Sequence, residues 1–137
     1  MSRYVPAELR RRVRKRFCDA CAYCQTLEAL TVTIFEIEHI VPRAAGGETL
    51  FDNLCLACPS CNRFKSDRVT GSNEVRLFHP QQDVWSEHFG WSVDGTTLVG
   101  LSDIGRETTS LLRINRPQMI RVRSMWFAFD AHPPKDL

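Results

Sequence analysis

Cys21-Ala22-Tyr23-Cys24, then Glu38-His39-Ile40, then Asn53-Leu54, then Cys58-Pro59-Ser60-Cys61-Asn62-Arg63-Phe64-Lys65 all fall within residues 21–65, and this stretch decides the fold. Two Cys-x-x-Cys pairs bracket an acidic residue joined to a histidine. Two residues between thiols let both sulfurs reach one ion from a tight turn, and two such pairs complete a tetrahedral set. The separation from Cys24 to Cys58 is longer than a simple ribbon needs, so a folded insert is expected between the knuckles. A structural zinc contributes about 10–16 kcal/mol, against a net domain stability of about 5–15 kcal/mol. So short an insert has little core of its own, and the metal would dominate its stability.

Each knuckle carries a third cysteine. Cys18-x-x-Cys21-x-x-Cys24 and Cys55-x-x-Cys58-x-x-Cys61 allow two registers per side. Cys21, Cys24, Cys58 and Cys61 are the expected ligands. Cys18 sits one turn back in an expected helix and Cys55 lies inside an expected strand, so both read as small buried hydrophobes.

Around this centre the pattern is α+β. Pro6 at an early helical position, with Glu8 in the first turn, starts a helix. Leu9, Val13, Phe17 and Ala20 recur at helical spacing and face the core. Residues 31–37 are rich in β-branched and aromatic side chains and read as a strand delivering Glu38 and His39 at its end. Gly46-Gly47 marks a loop, residues 54–57 a returning strand, and Pro59 opens a short helix to about residue 67. Residues 1–70 are thus expected to form one unit and residues 71–137 an extension packed on it. In the extension, Phe89, Trp91 and Val93 alternate, Asp94-Gly95 signals a hairpin, and residues 96–99 return. Two helices follow over residues 104–114 and 117–129. The second would present Ile120, Met125 and Phe129 on one face, beside Val122 and Trp126. Residues 132–135 read as a loose tail.

The bulk numbers fit one soluble globular domain: 137 residues, 43% apolar and 25% charged. No run of about 18 apolar residues is present to span a membrane, and no apolar segment follows the basic start as a secretion signal would. A cytoplasmic protein is expected, with thiols used as ligands more than as disulfides. The net charge is only +2, but Arg10, Arg11, Arg12, Arg14, Lys15 and Arg16 form one basic block and Arg113, Arg116, Arg121 and Arg123 another. Such blocks suit a polyanionic partner or a solvated helix face.

The fixed offsets of Cys21-x-Tyr23-Cys24, Glu38-His39-Ile40-x-Pro42, Gly46-Gly47, Asn53-Leu54 and Cys58-x-x-Cys61-Asn62-x-x-Lys65 resemble the zinc-knuckle branch of the HNH endonucleases over roughly residues 5–68. The segments 77–80, 85–91, 105–106 and 115–117 resemble, more weakly, a C-terminal extension found on bacterial proteins of this type. The resemblance implies a ββα-metal hairpin and helix, a structural zinc held by four cysteines, and hydrolysis of DNA phosphodiester bonds with a magnesium or manganese ion. It makes His39 the general base; the ordinary imidazole pKa, about 6.5, suits that task. It makes Glu38 and Asn62 the ligands of the catalytic cation, with Asn62 standing where a histidine is also found. Asn53 is the middle letter of the motif and would brace the loop. Lys65 and Arg63, with Arg12, Lys15 and Arg16 from the first helix, would meet phosphates. His79, His88 and His132 fall outside the motif. The competing reading is a non-catalytic zinc-dependent DNA-binding module. RNA stays open as a substrate, and a homodimer would account for double-strand cutting.

Overall fold

The structure is a computed structural model and describes residues 4–135 and residue 137. Helix α1 runs Ala7–Arg16 from an N-cap at Pro6. The expected inward face is present: Val13 is fully buried and Phe17 nearly so. The chain then turns through Cys18 and Asp19, both at φ 55°. Cys18 is exposed, against the expectation of a small buried hydrophobe. The helix has already ended, and the left-handed turn swings its thiol outward.

Strands β1, Glu36–His39, and β2, Leu54–Ala57, pair antiparallel, with Glu36 opposite Ala57 and His39 opposite Leu54. The first strand is shorter than expected and later in the chain. Residues 31–34 do not pair. Thr31 and Thr33 bond each other's hydroxyls, and Val32 and Ile34 lie in solvent. Their β-branched character therefore has no sheet to join: β2 offers only four residues, and they are used by 36–39. All four residues of β2 are fully buried, with α1 packed on the strand. Helix α2, Pro59–Lys65, follows at once; Cys58 is its N-cap, and its sulfur accepts from the Cys61 N–H.

The remaining residues close over this unit. A single helical turn, α3, covers Trp85–His88. Strands β3, Phe89–Trp91, and β4, Leu98–Gly100, pair as a hairpin. Helices α4, Asp103–Leu111, and α5, Pro117–Ala128, follow. One buried cluster runs from Val5 through Tyr23, Leu54 and Leu56 to Phe78, Phe89, Leu98, Leu112 and Ile114. Two departures concern the end of the chain. Met125 and Phe129, expected on the inner face of α5, are 62% and 81% exposed, and the residue α5 buries completely is Arg123. His132, expected in a loose tail, is buried, with its ring 4.5 Å from Trp91 and 6.0 Å from Trp126. Apolar periodicity misled here because a buried arginine supplies the contact that an aliphatic residue was expected to make.

Candidate metal centre and histidine site

The four expected thiols meet. The sulfurs of Cys21, Cys24, Cys58 and Cys61 all lie within 4.8 Å of one another, and among the described residues they form the only cluster of three or more His, Cys, Asp or Glu ligands. The chemistry fits zinc. A zinc–sulfur bond of about 2.3 Å in a tetrahedron sets sulfur–sulfur edges of about 3.8 Å, and Cys24 Sγ lies 3.9 Å from Cys58 Sγ. The Cys24 thiol is held well below its ordinary pKa by hydrogen bonding, from Cys21 first and then from Cys58 and Cys61. Burial pushes Cys21 up, and hydrogen bonding, first with Cys21, pushes Cys61 up, so the four thiols share their protons unevenly and Cys24 is the one poised as a thiolate. Cys55 does not join them. It is buried in β2, and its thiol donates to Glu38 Oε1 at 3.3 Å.

The residues after position 70 enclose this centre. Trp85 Nε1 donates to the Tyr23 carbonyl at 3.0 Å, and Trp91 Nε1 donates to Gln25 Oε1 at 3.4 Å. Arg123 is 0% exposed and donates to the carbonyls of Thr96 and Ile114 and to Asn115 Oδ1. No carboxylate among the described residues pairs with it. Burial pulls its pKa down, while the thiols of Cys24, Cys61 and Cys58 pull it back up. With zinc bound, four thiolates would give the centre a net charge of −2, which this buried cation would help to offset. In the sequence, Arg123 carries no signal beyond its place in a basic block.

The hairpin carries the other expected residues on two faces. Alternation along β1 places Glu36 and Glu38 on one side, and α2 lies across it. Lys65 Nζ sits 2.9 Å from Glu38 Oε2 and donates to the Ile40 carbonyl at 2.9 Å. One turn earlier on the helix, the Asn62 amide donates to Glu36 Oε1. Lys65 was expected to meet phosphate, but it is 1% exposed and serves as the interior partner of Glu38. Burial raises the Glu38 carboxyl above its ordinary value, and Lys65 opposes the rise. The Asn62 side chain therefore meets Glu36, which the sequence reading passed over, while Glu38 faces Lys65, Cys55 and Tyr23. The period of two along β1 could have nominated Glu36.

His39 is buried, and its Nε2 lies 2.8 Å from Thr49 Oγ1. Thr49 belongs to the loop that joins the two strands, and Asn53 holds that loop. Asn53 Oδ1 accepts from the Val41 N–H at 2.8 Å, and its Nδ2 donates to the carbonyls of Val41 and Glu48 at 3.0 and 2.9 Å. The two glycines are required for different reasons. Gly46 takes φ +93°, and a Cβ on Gly47 would stand 1.7 Å from the Val41 carbonyl oxygen. Thr49 had no sequence signal of its own. Of the basic residues, Arg12, Lys15, Arg16 and Arg63 are exposed. Arg12 lies 4.5 Å over the Phe51 ring, and Arg16 donates to the Pro80 carbonyl. His79 and His88 take local hydrogen bonds, His79 Nδ1 from the Gln82 N–H and His88 Nδ1 with Ser102 Oγ.

No helix among the described residues is long and apolar enough to cross a membrane. No curated protein and no solved structure matches the chain. A family model does match it, that of the HNH endonucleases, over residues 21–68. The matched span opens at the first thiol of the zinc-type clamp and ends just beyond α2, so the unit that carries the histidine site is the part of the chain that is similar to the HNH endonucleases.

Proposed function

We propose that the protein is a cation-dependent endonuclease that hydrolyses DNA phosphodiester bonds, one strand per site. The observation that carries this reading is the fixed histidine: His39 is oriented by Thr49, on a loop that Asn53 braces through two hydrogen bonds to Val41, just beyond β1, and one to Glu48. His39 would take the proton from an attacking water. A hard divalent cation of the magnesium or manganese type, when bound, would neutralise charge on the scissile phosphate and the leaving oxygen. The chain's own oxygens for it are the Asn62 carboxamide and the Glu36 carboxylate on the open edge between α2 and β1. Glu38 adds another by exchanging its bond to Lys65. Asn53 positions the base and takes no part in the chemistry. Arg12, Lys15, Arg16 and Arg63 are the exposed cations for the phosphate backbone.

The second reading, a non-catalytic DNA-binding module, has one observation in its favour: Lys65 already neutralises Glu38. Supercoiled plasmid separates the two. The nuclease converts it to nicked circles when magnesium or manganese is added to zinc-loaded protein, and Glu36→Gln and Glu38→Gln each raise the cation concentration needed. Plasmid left intact with every cation, while still bound by the protein, establishes the module instead.

A further inference from the structure

Three guanidinium groups converge on one aromatic ring. Phe64, on α2, has the guanidinium carbons of Arg113, Arg116 and Arg63 at 5.1, 5.8 and 6.0 Å from its ring centre. Any two of these cations therefore lie within about 12 Å of each other, close to the screening length of about 8–10 Å in physiological salt. They repel one another, and each stacking contact returns only about 0.5–1 kcal/mol at an exposed site. No carboxylate among the described residues pairs with any of the three, whereas Arg11, Arg76 and Arg106 each have one and Arg14 has two.

The segment that presents two of them is held firmly. Leu112 and Ile114 are 0% and 1% exposed and anchor the turn between α4 and α5, leaving Arg113 outside. Asn115 bonds both backbone groups of Leu98, and Arg123 holds the Ile114 carbonyl. Arg113 itself sits at φ 50°, a left-handed conformation that costs an ordinary residue of order 1 kcal/mol or more. Arg116 caps this turn by donating to the Arg113 carbonyl at 3.1 Å. Fixed cations, held against repulsion and lacking an internal counter-ion, form an anion site.

We propose that Arg63, Arg113 and Arg116 around Phe64 bind the phosphodiester backbone of duplex DNA beside the hairpin. This rests on the nuclease reading for the choice of anion. Phe64 is two residues beyond Asn62, on the other flank of α2. The helix is about 10 Å across, so the backbone bound here is about three base steps of 3.4 Å from the edge where Asn62 lies. The residues beyond position 70 then act as a second grip on the substrate of the HNH unit.

The test is duplex binding by the full zinc-loaded chain, measured by fluorescence anisotropy across a salt series without added divalent cation. Arg113→Gln/Arg116→Gln removes both charges and leaves polar side chains that still donate hydrogen bonds. It should flatten the slope of log K against log salt by about 1.8, at about 0.9 for each phosphate no longer neutralised. Arg113→Lys/Arg116→Lys should keep the slope, because it keeps the charge. Zinc content and melting temperature, unchanged in both, show that the fold survives; if the Gln pair fails that check, Arg116→Gln alone should flatten the slope by about 0.9. A wild type that binds DNA, with Gln variants of equal slope, overturns this proposal and leaves the nuclease reading standing. A wild type that neither binds nor nicks DNA overturns both.

Discussion

Lys65→Met isolates the interior ion pair that fastens α2 to β1. Methionine keeps most of the apolar stem, so little cavity forms and the ammonium is what disappears. Lys65 is 1% exposed and Glu38 5%, and the pair is separated by 2.9 Å. Breaking a buried pair from one side costs about 3–5 kcal/mol, because the remaining charge is stranded. For a chain of this size that corresponds to roughly 12–20 °C in melting temperature, at about 4 °C per kcal/mol. The loss depends on pH with a definite sign. Burial raises the folded Glu38 carboxyl above its unfolded value, and without Lys65 the rise is larger. The folded variant then binds a proton that the unfolded chain releases, so its stability increases as pH falls through that raised value toward about 4.3, the unfolded one. The deficit against wild type should be full at pH 7 and shrink in mild acid. Glu38→Gln/Lys65→Met should recover much of it, since the double-mutant cycle removes both charges. Thermal denaturation from pH 4 to pH 8 reads all of this. A single-variant deficit below about 1 kcal/mol, the value for an exposed pair, or one that does not change with pH, refutes the reasoning.

Other consequences follow from the same geometry. Cys58→Ser should abolish stoichiometric zinc and unfold the hairpin, as a loss on the scale of about 10–16 kcal/mol demands; unchanged zinc by metal analysis would reject the ligand set. Gly47→Ala drives a Cβ into the Val41 carbonyl and should loosen the loop that holds Thr49, which faster amide exchange over residues 43–50 would report. Arg123→Met strands the carbonyls of Thr96 and Ile114 at about 1–3 kcal/mol each, and should speed zinc release to a chelator as well as lower the melting temperature. Asp83 is held below its ordinary pKa, chiefly by Arg76. Its contribution, about 1 kcal/mol or less because Arg76 is half exposed, is present at neutral pH and lost as pH falls through the depressed value. Asp83→Asn should therefore be less stable than wild type at pH 7 and equal to it near the acid end of a titration.

The metal centre was legible in the sequence because ligand spacing is local chemistry. Two residues between thiols need no knowledge of the rest of the fold, and Cys21, Cys24, Cys58 and Cys61 come together as that spacing requires. The loop was legible through Gly46-Gly47 and Asn53 for the same reason. What could not be read was which partner each charged side chain meets. Glu36 and Glu38 share one face of β1, and only the placement of α2 decides that one meets Asn62 and the other Lys65. Lys65 follows the pattern of a surface lysine in every respect except that it lands opposite a buried carboxylate. Arg123 defeats periodicity outright. A helix with Met125 and Phe129 outside and an arginine inside makes sense only once the carbonyls of Thr96 and Ile114, and the thiols beyond them, are in place.

The proposed function rests on a histidine, held by its loop, that activates water for phosphodiester cleavage. The most direct measurement compares wild type with His39→Ala on supercoiled plasmid, at matched zinc content and in saturating magnesium or manganese. Wild type should give cation-dependent nicked circles, and the variant should lose nicking by at least about a hundredfold, the lower bound for removing a general base, with duplex binding retained. Nicking that survives in His39→Ala at the wild-type rate removes His39 from the reaction.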